Sequence, residues 1–410
     1  MSYSTNPGPS TSFETRSLGH PLAWEDGDPL VTPIVQSTTF RRSAVGSDPE
    51  HQYSRVSNPS VSALERTLGD LEHAPPAVCF STGLAAETAL FLSLLSKGDH
   101  VICGRSVYGG TTRLIEQLLR GLGIESTFVD STSPDEITAA FREQTRLVFV
   151  ETPANPTLSI TDIHACSDIA RSHGALLVVD NTFLTPVLQQ PLDLGADISV
   201  YSTTKFIDGH STALGGSLVS RDPALLDRFR FLRKCTGAIQ SPLNAWLTAN
   251  GLKTLPLRIR AQSQSAALIA SWLTEQPLTK CTSHPSLLHG SERRIADAQH
   301  TGGHGAVVSF EIQGGVQAGK VFVSALKLCT LAEHVGSVET LITHPSSMTH
   351  ADVAPAQRQQ AGISDGLLRL SVGLEGIDEL IEDLRRGFRA VKELDNSQSV
   401  HEGVLCDSSL

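Results

Sequence analysis

From Val61 onward, apolar residues at helical spacing alternate with short β-rich runs: VICG at 101–104, STFVD at 126–130, RLVFVET at 146–152, ALLVVDN at 175–181 and DISVYS at 197–202. Near-continuous apolar strands are buried on both faces. Strand–helix–strand repetition therefore predicts an α/β domain, a mainly parallel sheet covered by helices on both sides. After Pro256 the rhythm changes to a helix around 261–274, a strand AVVSFEI at 306–312, a helix near 316–327, a strand LLRLSVG at 367–373 and a closing helix. This order predicts a smaller C-terminal α+β domain. In the closing helix Ile377, Leu380, Ile381, Leu384, Phe388 and Val391 form one apolar stripe opposite charged residues, the pattern of a helix packed on a sheet.

The flanks lack such patterning. Residues 1–58, rich in Ser, Thr, Pro and Gly, predict an extended arm able to contact a neighbouring subunit, and the polar residues 395–410 predict a mobile tail. The expected division is thus arm 1–58, large domain 59–255, small domain 256–394 and tail 395–410.

Composition narrows the classes. With 40% hydrophobic and 18% charged residues over 410 positions, the chain is an ordinary globular one. A net charge of −11 argues against a protein that tracks nucleic-acid phosphates. The seven cysteines, at 79, 103, 166, 235, 281, 329 and 406, have no metal-ligand or dithiol spacing, and the histidines show none either, so no metal site is expected. No signal-like start and no membrane-length apolar run is present; the expectation is a cytoplasmic protein without membrane contact.

Candidate chemistry gathers at strand ends. In ISVYSTTKF, 198–206, Lys205 arrives where an apolar strand stops; alone, such a lysine reads as a solvated loop residue. ALLVVDN ends in Asp180, which either caps a loop or meets a bound positive charge. STGLAAETALFLSLL, 81–95, offers Ser81 as a cap and Gly83 as an open approach to a helix start; by itself it is an ordinary capped helix, and beside an arginine fork it is an anion site. Arg55, two residues after Tyr53 in the arm, supplies such a fork, and Ser202 and Thr204 add hydroxyls next to the lysine. A lysine, a phosphate cradle and a strand-end carboxylate are together the equipment for pyridoxal phosphate (PLP).

The motifs YSRVSNP at 53–59, STGLAA at 81–86, SVYGGT at 106–111, ETPANP at 151–156, VVDNTF at 178–183, YSTTKFIDGHS at 201–211 and LRLSVGLE at 368–375 resemble, in order, the cystathionine γ-synthase and γ-lyase family of PLP enzymes, with the aspartate-aminotransferase-like fold. The resemblance implies an imine on Lys205, Asp180 at the pyridine nitrogen, phosphate contacts from Ser81, Gly83, Leu84, Ser202 and Thr204, and Tyr108 stacked on the ring and assisting proton transfers. It further implies Asn155 at the phenolic oxygen, Arg369 at the substrate carboxylate, and Tyr53 with Arg55 reaching the phosphate of a neighbouring subunit in a dimer, commonly paired into a homotetramer.

Departures bear on the reaction. His334 in LAEHVGSVETL stands where relatives more often have serine, and either reshapes the acceptor pocket or repacks it. Glu333 resembles an acidic position of cystathionine-handling members, while Gly110 stands where methionine γ-lyases carry cysteine. Gln52 replaces an acid that grips the distal amino group of cystathionine. The expected reaction is γ-replacement on an activated homoserine ester with a thiol or other nucleophile as acceptor. The alternatives are γ-elimination from cystathionine or a related thioether, and more remotely an aminotransferase or a PLP-binding protein that has lost catalysis.

Overall fold

The computed structural model describes residues 11–19, 26–349, 351, 358 and 362–406, with side chains through 394. Its large sheet contains β1 (Val78–Phe80), β2 (His100–Gly104), β3 (Glu125–Val129), β4 (Thr145–Glu151), β5 (Leu176–Asp180), β6 (Ile198–Tyr201) and β7 (Gly216–Val219), in spatial order β1-β7-β6-β5-β4-β2-β3. From β3 to β6 neighbouring strands are parallel; β7 is antiparallel to both its neighbours. The five parallel strands are those the hydrophobic runs predict. Alternate residues explain why those runs are nearly unbroken: Cys103, Phe149 and Val178 pack into one core, and Ile102, Val148, Val150, Leu177 and Val179 into the core on the other face.

The smaller sheet, β8 (Thr279–Ser283), β9 (Val307–Ile312), β10 (Thr330–Leu331), β11 (Leu341–Thr343) and β12 (Leu367–Ser371), has the order β10-β11-β12-β9-β8. Val308, Phe310, Leu368 and Leu370 pack there against Phe322, Leu380, Leu384 and Phe388. The change of rhythm near Pro256 falls inside one helix, Leu255–Thr274, with Pro in its first turn, where a missing N–H costs nothing. Its start (Leu255, Ile259) belongs to the large core and its later turns (Ile269, Leu273) to the small one, so this helix joins the two sheets.

Two expectations for the flanks need correction. The arm is not uniformly extended, because Phe13–Ser17 forms a short helix capped by Ser12. The closing helix runs from Ile377 to Cys406, through the segment expected to be a loose tail; that stretch is polar, but it holds no proline to stop a helix and one glycine only near its end. Residues 407–410 lie outside the described residues.

Candidate active site

The carboxyl ends of β4, β5 and β6 lie side by side, with Glu151 opposite Asp180 and Asp180 opposite Val200. In parallel sheets this edge faces the ligand crevice. The turn after β6 is fixed from several sides. Ser202 N donates to Thr182 Oγ1 at 2.8 Å, Gly209 N to the Lys205 carbonyl at 2.8 Å, and the Arg258 guanidinium to the carbonyls of Phe206 (2.9 Å) and Gly251 (2.8 Å). Gly209 has φ +71°, and an added Cβ would lie 2.0 Å from Arg258 Nη1, so this turn requires glycine. Lys205 thereby enters the crevice half-buried, its Nζ 3.2 Å from His334 Nδ1. Burial, helped by the nearby Arg369 charge, brings its pKa down to about 8.

The helix start beside it is Gly83–Leu94. Its cap is Thr82, whose hydroxyl accepts from Ala85 N at 3.0 Å, not Ser81 as expected. Ser81 donates its backbone N–H to the Ala238 carbonyl at 2.8 Å. Gly83 and Leu84 open the helix, where N–H groups have no intrahelical acceptor. A Cβ on Gly83 would meet Ser202 Cβ at 3.0 Å and Oγ at 3.1 Å, so the glycine brings helix start and Ser202 together as one cradle. The Thr204 hydroxyl donates instead to the Gly215 carbonyl at 3.1 Å and accepts from Gly215 N at 2.9 Å. Its donor is therefore spent within the protein rather than open to a phosphate.

Three buried carboxyls gather behind this cradle. Asp180 is 7% exposed, accepts from Thr182 N at 2.9 Å, and has no ion pair among the described residues. Burial raises its pKa to about 6. Glu151 accepts from the backbone N–H groups of Tyr108 (2.7 Å) and Asn155 (2.9 Å), yet burial and then the Asp180 charge raise it well above the usual range. Glu87 accepts from Thr111 Oγ1 at 2.8 Å and is raised to about 8, by burial first and Asp180 second. Such a site stabilises a cation that arrives at Asp180.

The small domain closes the crevice with basic groups. Arg369 on β12 is buried; its Nη1 donates to Asn155 Oδ1 at 2.7 Å and its Nη2 to Thr343 Oγ1 at 3.3 Å, while Nε is buried without a partner. Burial lowers its pKa to about 10. Asn155 keeps its Nδ2 donor for another oxygen. Glu333 is exposed beside this arginine and contributes to its electrostatics, as does Tyr108. The Tyr108 ring rests over Gly110: an added Cβ there would lie 2.3 Å from Tyr108 Cε1.

Tyr53 and Arg55 stay outside this group. The guanidinium lies 5.3 Å from the Tyr53 ring centroid and donates to the Lys234 carbonyl at 2.8 Å. The structure therefore brings together Lys205, Asp180, Gly83, Leu84, Ser202, Asn155, Tyr108, His334 and Arg369, and leaves the arm pair apart. Among the described residues no three ligand-type side chains cluster as a metal site.

The residues present fit PLP on two observations: a buried carboxylate awaiting a cation, and a glycine-opened helix start beside a lysine of lowered pKa. Fold and site define a PLP-dependent α/β enzyme. The chain belongs to the family described as Cys/Met metabolism PLP-dependent enzyme, which it matches over residues 24–389. It is 42% identical to the cystathionine γ-lyase of Bacillus subtilis (strain 168) over 88% of this chain and 94% of that one. It is also 42% identical to the cystathionine β-lyase of Lactococcus lactis subsp. cremoris (strain MG1363), over 92% and 99%. Among solved structures, cystathionine γ-synthase from Xanthomonas oryzae pv. oryzae superposes with a TM-score of 0.90 at 38% identity, over 93% of this chain and 99% of that one. The enzyme is thus one of sulfur amino-acid metabolism with PLP as cofactor. No helix among the described residues is long and apolar enough to cross a membrane.

Sequence reasoning passed over Glu87, Glu151, Thr182 and Arg258. Glu151 stands in the quoted ETPANP motif, and a charged residue ending an apolar strand was a usable signal. Glu87 had a weaker one, a lone acid in an otherwise apolar helix.

Proposed function

We propose that the enzyme carries out γ-replacement on an activated homoserine ester, using a thiol or another nucleophile as acceptor. The carrying observation is Gln52. Its Oε1 is taken by Arg42 and its Nε2 donates to Asp48 at 2.5 Å, so the position before Tyr53 holds a neutral amide already engaged within the arm, rather than a carboxylate for a distal ammonium such as that of cystathionine.

Bound PLP supplies electron withdrawal from the carbon atoms of an attached amino acid. Lys205 tethers the cofactor and then holds or moves protons at the substrate α and β carbons; a pKa near 8 leaves a useful fraction of the amine neutral at physiological pH. Asp180 holds the pyridine nitrogen in its protonated form. The Gly83 and Leu84 N–H groups and Ser202 bind the phosphate, with Ser81 at the same cradle and Thr204 shaping it through Gly215. Tyr108 stacks on the ring, Asn155 Nδ2 donates to the phenolic oxygen, and Arg369 holds the substrate carboxylate, with Glu333 and His334 beside it. Tyr53 and Arg55 serve the site of a neighbouring subunit, which makes the active unit a dimer within a homotetramer in the cytoplasm.

A second reading, γ-elimination, is supported by the names of relatives, since the B. subtilis protein is a γ-lyase at 42% identity. Product analysis separates the two. With O-acetyl- and O-succinyl-homoserine, replacement predicts a sulfur-containing product that forms only with an added thiol acceptor, cysteine or another, and suppresses 2-oxobutanoate. Equal 2-oxobutanoate regardless of acceptor rejects it.

A further inference from the structure

Lys205 and His334 are 129 residues apart in the chain and meet at 3.2 Å, Nζ to Nδ1. The loop that carries His334 is held to the lysine's own backbone. Gly336, φ +85°, packs so closely that an added Cβ would lie 2.4 Å from Phe206 N, and its N–H donates to Ser371 Oγ at 2.8 Å. The backbone segments that carry the imidazole and the amine are therefore held together by one close contact.

Their chemistry sets the tautomer. An ammonium has donors only, so a charged Lys205 makes Nδ1 the acceptor and leaves the imidazole proton on Nε2. That Nε2 is buried and has no hydrogen-bond partner. A buried N–H without an acceptor is costly, and Arg369, whose Nη2 donates to the His334 carbonyl at 3.5 Å, likewise keeps its Nε unpartnered. Two unfilled donors on contacting residues suit one anionic oxygen group.

We propose that His334 is a positioning residue for Lys205: its Nδ1 accepts from the free lysine amine, and the Nε2–H thereby fixed donates to an oxygen of the substrate carboxylate held at Arg369. Carboxylate occupancy and lysine orientation are then linked through one ring. The inference rests on the roles proposed above for Lys205 and Arg369, but not on which γ product forms. The other charges facing the pair are Arg369 on Lys205, and Arg369 and Asp208 on His334.

The test compares wild type, His334→Phe and His334→Gln. In the cofactor-free enzyme, acylation of Lys205 by an amine-reactive reagent is followed against pH by peptide mapping. Phe keeps a ring but removes the acceptor, so the charged amine loses a partner and the labelling midpoint falls by about one pH unit; Gln, whose Oε1 accepts, restores it. In the holoenzyme, glycine, which has no γ substituent, is titrated by the change in visible absorbance. Its affinity falls about tenfold in the Phe variant and recovers with Gln, which also offers a donor. A midpoint and a glycine affinity unchanged in the Phe variant, or equal shifts in Phe and Gln, overturn the proposal. Should the Phe variant fail to fold by circular dichroism, His334→Leu takes its place with the same expectations. Product analysis can fail independently: shifted midpoints with the wrong γ product retain the His334 role and reject γ-replacement.

Discussion

The two walls of the crevice carry opposite charge for opposite purposes. On the large-sheet side Glu87, Glu151 and Asp180 are buried with raised pKa values and no ion pair among the described residues. On the small-domain side burial lowers Arg369 to about 10, which leaves it a cation at neutral pH, and His334 to about 4, which leaves it neutral, and their contacts are largely neutral oxygens and the lysine. Each wall thus lacks the ion that the other cannot supply directly. A ligand with a cationic ring nitrogen at one end and a carboxylate near the other satisfies both, which is why a PLP-bound amino acid suits the gap. Lys205 stands between them, rooted in the large sheet and touching the small domain.

The contrast breaks most completely at Lys205. Lys205→Ala removes the tether and the proton carrier together, and kcat with the preferred substrate is expected to fall by about 10³-fold or more. Asp180→Ala removes the counter-charge from the acidic wall; kcat/KM falls by about 10²-fold, with weaker retention of PLP on dialysis.

A third change separates acids that face the crevice from one that does not. Glu72 is also fully buried, but accepts from the Tyr201 hydroxyl, itself held by Asn181 Nδ2 at 3.0 Å. Burial raises its pKa from 4.5 to about 7. A carboxyl raised on folding is no burden below the unfolded value; between pH 4.5 and 7 the unfolded state ionises and the folded one does not, so stability falls, and above 7 the deficit is constant. Glu72→Gln is therefore neutral near pH 4 and stabilising by about 3 kcal/mol at pH 8, measured by denaturant unfolding at both pH values. A constant difference across that range contradicts the assignment.

Arg369→Ala probes the basic wall alone. KM for the amino acid rises by about 10- to 100-fold, as for loss of a charged hydrogen-bonded pair, with PLP retention unchanged. The smallest change is Gly110→Ala. The added methyl displaces the Tyr108 ring, an adaptable half-exposed side chain, so thermal stability stays within about 0.5 kcal/mol while kcat falls several-fold.

Much of this arrangement was legible beforehand. The five parallel strands are apolar on both faces, and period and flanking loops mark them. β1, three residues long, carries too few positions for any period to register, and β7 reads GSLV, where glycine and serine interrupt the apolar run. Lys205 and Asp180 were legible because a charged residue ending an apolar strand conflicts with burial unless something binds it. The cap shifted from Ser81 to Thr82 because adjacent hydroxyls offer equal chemistry, and only backbone geometry chooses between them. The pairing of the Thr204 hydroxyl with Gly215 is likewise not written in its sequence. His334 was visible as a departure, but its contact with Lys205 depends on how the two domains close.

Reductive trapping tests the central claim most directly. Borohydride treatment of the purified, PLP-loaded enzyme, followed by peptide mapping, is predicted to leave a pyridoxyl group on Lys205. Stable modification of a different lysine, or none despite full cofactor loading, contradicts the account.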